Sequence, residues 1–176
     1  QVLIALDAAI PNSPNVYRLN VESGTRSLVQ ANPGNAEGLR RIHAWMADQA
    51  GRVRLGIGGR DTMQRIIVRS SGSDDWRELA EFDFTKESGV SPLGFDSDPD
   101  VLYVRALHDG RQAIFKLRID QPDAPRELVV ADPTFDIGGP LIYSRWLRAV
   151  VGVSYAAEGI RTVYWDKRAQ AVQARI

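Results

Sequence analysis

Residues Trp45–Leu79 read WMADQAGRVRLGIGGRDTMQRIIVRSSGSDDWREL. Val53, Leu55 and Ile57 alternate there with Arg52, Arg54 and Gly56, the period of two expected of a half-buried strand with one apolar face. Gly58-Gly59-Arg60-Asp61 supplies a turn, with glycine in positive φ, and Gln64–Ser70 follows with Ile66, Ile67 and Val68. Ser71-Gly72-Ser73-Asp74 is a second turn, from which Trp76–Phe82 returns. With His43–Asp48 in front, closed by Gln49-Ala50-Gly51, the stretch is four short strands joined by tight turns.

The same pattern recurs on both sides. Upstream lie Val2–Leu6, Val16–Val21 and Arg26–Gln30, followed by a polar loop at Ala31–Gly38. Downstream lie Ser91–Asp96, Asp100–Leu107, Gly110–Ile119 and Arg126–Ala131, where Asp109-Gly110 is a hairpin signal. Pro140–Ser144, Leu147–Tyr155 and Ile160–Asp166 complete the series, and the helix formers of residues 169–176 are expected to start a helix. Leu3, Val53, Leu102 and Val150 are spaced by 50, 49 and 48 residues, and Val16, Ile66, Ile114 and Val163 by 50, 48 and 49. Leu28, Leu79 and Leu128 are spaced by 51 and 49, and Trp45, Gly94 and Tyr143 by 49 and 49. Four registers thus agree on one period, and a four-stranded antiparallel unit of roughly 40–50 residues is the mark of a β-propeller blade. Neither the WD dipeptide with Gly-His nor the double-glycine kelch pattern is present.

The expected fold is therefore all-β: a partial β-propeller of about four blades of four-stranded antiparallel sheet, forming a single domain over 1–176. The blades fall at 1–31, 43–83, 91–132 and 136–167. The first begins on its second strand and the last ends after its third, so two blades are complete and two are not. A propeller closes with more blades than this, which implies a piece excised from a larger chain or one completed by another copy. Open blade edges invite pairing, so a homo-oligomer is expected.

At 176 residues and 44% apolar composition the chain can bury one sizeable core. Its 22 basic and 22 acidic residues cancel, which argues against nucleic acid or an anionic membrane surface as a partner. The absence of cysteine removes disulfides, a thiol nucleophile and thiolate metal sites. No apolar run approaches the roughly 20 residues of a membrane span. The opening QVLIALDAAIPNSPN lacks the basic start and long apolar core of a signal peptide and reads as a strand entered within a larger protein. The compartment, cytoplasmic or periplasmic, stays open.

The ordered segments VLIALD (2–7), NVYRLNVESGTRSLVQANPG (15–34), GRVRLGI (51–57), PLGFDSDPDVLYVRALHDGRQAIFKL (92–117) and VVGVSYAAEGIRTVYWD (150–166) carry a resemblance. Together they resemble the amino-terminal propeller of bacterial prolyl-oligopeptidase-family serine peptidases, the acylaminoacyl- and dipeptidyl-peptidase-like members above all. The resemblance spans essentially the whole chain and rests on ordered blade patterns. It implies a seven- or eight-bladed propeller capping an α/β-hydrolase domain, with the Ser-Asp-His triad in that domain and the propeller filtering and holding peptide. On that basis the partners are a peptide substrate and the parent's hydrolase domain, and the catalytic residues lie outside this chain.

The remaining candidates have plain structural explanations. Gly152-Val153-Ser154-Tyr155-Ala156 approaches the G-x-S-x-G nucleophile elbow, but it falls on a strand register and is followed by a strand where the elbow needs a helix. His43 and His108 are the two histidines, the first before a strand and the second in a hairpin turn. Asp74-Asp75 and Asp96-Ser97-Asp98-Pro99-Asp100 are turn formers; the second run lacks the central Gly and final Glu of a calcium loop. Gly56-Ile57-Gly58-Gly59 lacks the Lys-Ser/Thr and the helix of a phosphate loop. Arg40, Arg41, Arg52, Arg54, Arg60, Arg65 and Arg69 form a basic segment; its strand arginines are expected on an exposed face, where a solvated role competes with contact to a peptide carboxylate. Trp45, Trp76, Trp146 and Trp165 are expected to pack between blades.

No catalytic, cofactor-binding or metal-ligating residue is assigned, and no cofactor. The expected function is substrate gating by the non-catalytic propeller portion of a prolyl-oligopeptidase-like serine peptidase. The alternative is a self-standing propeller-like module that binds a protein or self-associates; a hydrolase built on Ser154 is a distant third.

Overall fold

The computed structural model describes residues 1–7, 10–33, 41–86 and 89–175. These residues form four antiparallel sheets and one short helix, an all-β architecture. The chain divides into two compact units, Gln1–Lys86 and Glu87–Ile176. Residues 34–38 of the loop expected at Ala31–Gly38 lie outside the described residues, as do Arg40 and Ile176.

The first unit holds a three-stranded sheet of β1 (Val2–Asp7), β2 (Pro14–Leu19) and β3 (Arg26–Gln30). Its second sheet has four strands, β4 (Ile42–Ala47), β5 (Val53–Arg60), β6 (Met63–Val68) and β7 (Arg77–Asp83). The second unit holds a four-stranded sheet of β8 (Ser91–Phe95), β9 (Val101–His108), β10 (Arg111–Arg118) and β11 (Glu127–Val130). Its other sheet is β12 (Leu141–Ser144), β13 (Ala149–Ala156) and β14 (Ile160–Tyr164), followed by the helix α1 (Lys167–Gln173). Within every sheet the strands pair in chain order, so each sheet is a meander confined to one repeat of the sequence.

The strands differ in burial by position. The inner strands β5, β9 and β13 carry runs of consecutive buried residues and are therefore covered on both faces. The outer strands β3, β7 and β11 contain no fully buried residue. In the second unit Tyr103 and Ile114 meet Val150, Val153 and Tyr155 of the neighbouring sheet, with Ile137 from the connecting segment closing the cluster.

One irregularity repeats with the sequence. The pairing slips between Val16 and Tyr17 against β3, between Ile66 and Ile67 against β7, and between Ile114 and Phe115 against β11. Each slip leaves one outer-strand residue without an opposite: Val29, Leu79 and Val129 in turn. A bulge of this kind bends its strand and strengthens the local twist.

Turns follow the sequence in one place and depart from it in another. Asp109 and Gly110 both have positive φ, 51° and 78°, the backbone of a two-residue I′ hairpin between β9 and β10. Gly58 and Gly59 are not in the turn expected there. Both lie within β5, and the positive φ falls on Asp61, at 54°. Their lack of a side chain answers crowding: a Cβ on Gly58 would strike the Arg41 carbonyl, and one on Gly59 the Met63 carbonyl. α1 starts earlier than the expected residue 169, because the Asp166 carboxylate caps it by accepting from the Arg168 and Ala169 amides.

Burial by position sets a contrast in stability. Ile114, 0% exposed on β10, is expected to cost about 2–5 kcal/mol as Ile114→Ala. Leu128→Ala, 41% exposed on β11, is expected to cost less than about 1 kcal/mol. Urea denaturation of both variants measures the difference, and equal losses contradict the inner-to-outer gradient.

Candidate functional site

The β4–β5 turn is organised by one carboxylate. Asp48 Oδ1 accepts from the amides of Ala50 and Arg52, both at 2.9 Å, while Gly51 takes a φ of 76° to let the chain reverse. Asp48 Oδ2 receives Nε of Arg54 at 2.9 Å, and Arg54 Nη1 donates to the Ser70 carbonyl at 2.8 Å. Arg54 is 5% exposed, so it does not share the solvated face expected from its alternation with Val53 and Leu55. This burial has a physical cause: the carboxylate of Asp48, the first residue after β4, pairs with the guanidinium and makes its burial tolerable.

Arg69 is held from two sides. Its Nε and Nη2 donate to the Val53 carbonyl at 3.1 and 2.7 Å, and its guanidinium lies 4.7 Å from the ring centre of Trp76. Trp76 in turn packs 5.5 Å from Trp45. Burial lowers the Arg69 pKa below its ordinary value; Asp74 opposes this, and the charges of Arg54 and Arg52 add to it. Arg18 of β2 and the bulged Val29 of β3 face these groups from the first sheet, closing a pocket of about 250 Å³ with Arg52, Arg54, Arg69 and Asp74. Among the described residues neither Arg18 nor Arg52 forms an ion pair, and both are exposed. Arg65 instead pairs with Glu78 at 2.8 Å, and exposed Arg60 lies 3.6 Å from Asp61.

The other candidates are placed apart from this pocket or already engaged. Ser154 lies in the middle of β13, its hydroxyl 2.7 Å from that of Thr162 on β14, opposite it in register. The G-x-S-x-A segment is thus a strand paired to a strand. His43 is exposed on β4 and lines a shallow pocket of about 190 Å³ with Gly58, Gln64 and Phe84. His108 ends β9, with its ring edge-on to Phe115 and Nε2 3.6 Å from Asp109. It borders a pocket of about 310 Å³ with Arg111, Asp132 and Pro133. Asp96 accepts from Tyr103 and from the Val150 amide, and Asp98 binds Arg118 at 3.0 Å. Among the described residues no cluster of three potential ligands has metal-binding geometry.

The tryptophans divide. Trp45 reaches the first sheet by donating to the Pro14 carbonyl at 2.7 Å, and Trp165 stacks on Tyr103 of the neighbouring sheet at 5.6 Å. Trp146, expected to pack between blades, is 87% exposed in the β12–β13 turn.

Two structural anchors were not read from the sequence. Asn32, two residues past β3, donates to the Ile42 carbonyl of the next sheet at 2.6 Å and to the Pro14 carbonyl at 3.2 Å. Asp132, two residues past β11, accepts from the Thr134 and Phe135 amides, from the Tyr155 hydroxyl at 2.7 Å and from Arg161 at 2.7 Å. The signal was present: Val29-Gln30-Ala31-Asn32-Pro33 and Val129-Val130-Ala131-Asp132-Pro133 share a pattern two periods apart. Hydrogen bonds from the Thr134 amide first, then from Tyr155, hold the Asp132 carboxyl at about 2, below its ordinary 3.8.

Compared with protein-family models and with curated proteins, the chain matches none.

Two measurements test these placements. Asp48→Ala strands a buried guanidinium and is expected to cost about 3–5 kcal/mol, whereas Arg52→Ala one strand position from Val53 is expected to stay within about 0.5 kcal/mol. Similar losses for the two contradict the distinction. Asp132 is depressed in the folded state, so its stabilisation is complete above pH 3.8 and is lost as pH falls toward about 2. The gap in Tm between wild type and Asp132→Asn is therefore expected to be constant above that window and to narrow within it. A gap that does not change from pH 4 down to about 2 contradicts the assignment.

Proposed function

We propose that this chain is the non-catalytic propeller portion of a prolyl-oligopeptidase-like serine peptidase, where it gates or positions peptide for a hydrolase domain. One observation carries the propeller half of this reading: a sequence period near 49 residues coincides with one meander sheet per repeat. Among the described residues the first sheet lacks the strand that opens the second and third, and the last lacks the strand that closes them. Inner strands covered on both faces, with exposed outer strands, support the same plan. The engagement of Ser154 with Thr162 supports a non-catalytic role. The peptidase half rests on the resemblance of the ordered segments.

The test is biochemical and has two arms. The purified chain is expected neither to turn over acyl-aminoacyl and aminoacyl chromogenic substrates nor to be labelled by a fluorophosphonate; labelling lost in Ser154→Ala overturns the non-catalytic assignment. The parent reading frame is expected to include a hydrolase domain bearing G-x-S-x-G, and its absence overturns the peptidase assignment.

A self-associating module is the second reading, favoured by β1 and β14, each paired on one side only among the described residues. Sedimentation equilibrium decides it: an average mass rising with concentration supports self-association, and a constant monomer mass removes it.

A further inference from the structure

We propose that the first unit carries a binding site for a small oxyanion of charge about −2, held by Arg18, Arg52 and Arg69 in the pocket between β2–β3 and the β4–β5 turn. The inference is independent of the peptidase reading.

The charge balance of the pocket points to it. Arg54 is neutralised at 2.9 Å by Asp48 and serves as scaffold. Three guanidiniums remain, Arg18, Arg52 and Arg69, against the single carboxylate of Asp74, which leaves two net positive charges around about 250 Å³. Like charges converge on one concavity only at a cost, and an anion that enters offsets it. A dianion matches the excess; a monoanion leaves half of it.

The donors are also prepared for the task. Arg69 is fixed by the Val53 carbonyl and by Trp76, and that pair of hydrogen bonds leaves Nη1 outside it. A planar guanidinium already immobilised loses little further side-chain freedom when it takes up phosphate or carboxylate oxygens. Arg52 is set on the turn that Asp48 and Gly51 define, so its backbone is fixed while its side chain reaches solvent. Arg18 comes from the other sheet, opposite Ser27 in the β2–β3 register. Ser71 also lines the pocket. The site thus has one tethered donor and two exposed ones, an arrangement for capture of a small anion from solution.

Phosphate and dicarboxylate share this chemistry, and the probes separate them. Inorganic phosphate and succinate are titrated separately at low ionic strength, with chloride and acetate at matched ionic strength as controls, and binding is read from the arginine Nε–Hε NMR signals. Saturable shifts at Arg69 with phosphate alone assign a phosphoryl-type ligand; with succinate alone, a dicarboxylate; with both, a site selective for charge. The double variant Arg18→Gln/Arg52→Gln, at exposed positions, is expected to bind about tenfold more weakly with an unchanged thermal unfolding curve. Arg145→Gln, an exposed change in the second unit, is expected to leave binding unaltered. No saturable shift with either dianion, shifts reproduced by acetate or chloride, or equal loss in Arg145→Gln overturns the proposal.

Discussion

A strand that is buried on both faces cannot stand at a surface, and this constraint orders everything else in the molecule. β5, β9 and β13 each bury consecutive residues, so each needs cover above and below its sheet. A sheet of three or four short strands cannot provide that cover for itself, because its own side chains point away from its plane. Another sheet must be laid against it. In the second unit Tyr103 and Ile114 meet Val150, Val153 and Tyr155 in this way, and in the first Trp45 of the four-stranded sheet reaches the Pro14 carbonyl of the three-stranded one. At about 25 cal/mol per Å² of apolar surface, covering several such side chains outweighs any single polar contact in the molecule.

Apolar packing of this kind does not fix direction, and the polar anchors do. Asn32 and Trp45 converge on the Pro14 carbonyl, one donating at 3.2 Å and the other at 2.7 Å. Asp132 binds Tyr155 and Arg161 of the sheet that follows its own, and Asp96 takes the Val150 amide. Asn32 and Asp132 sit where one sheet hands the chain to the next, and Trp45 and Asp96 reach across from within a sheet, so together they constrain the approach of neighbouring sheets where packing alone permits sliding. Gly139 makes the same point by omission: a Cβ there would collide with the Ser154 carbonyl, so the connecting segment can lie directly on β13. Burial thus drives the association, and hydrogen bonds at the connections select its geometry.

What was legible in the sequence was whatever depended on neighbours along the chain. The period emerged because every repeat uses the same alternation and the same turns, and the Asp109-Gly110 hairpin emerged because its positive φ values favour those two residues. What stayed hidden depended on neighbours across space. Arg54 alternates with apolar residues and so reads as exposed, yet Asp48 and the Ser70 carbonyl bury it. Gly58 and Gly59 read as a turn, yet the carbonyls of Arg41 and Met63 press against them within a strand. Trp146 reads as core by composition, yet it sits in a hairpin turn that no sheet covers among the described residues. The arginine pocket was half visible: Arg52, Arg54 and Arg69 stood out as a basic segment, while Arg18 joins them only because the first sheet packs on the second.

The pocket is a by-product of the same packing rule that builds the core. Where β4 turns into β5, the chain must leave the covered region, and its backbone donors need a partner; Asp48 supplies one for Ala50 and Arg52. That carboxylate, 7% exposed, then needs a cation, and Arg54 meets it from the adjoining strand. Arg54 in turn places a positive charge beneath the turn, which pushes against Arg69, as does the charge of Arg52. Arg69 tolerates this by stacking on Trp76 and binding Val53, and Arg52 by pointing to water. The second sheet alone therefore presents an excess of positive charge at one end, and the first sheet, in covering it, adds Arg18 where an acidic residue would have cancelled it. That excess charge is the feature of this unit that packing leaves unexplained, and the proposed oxyanion site would account for it.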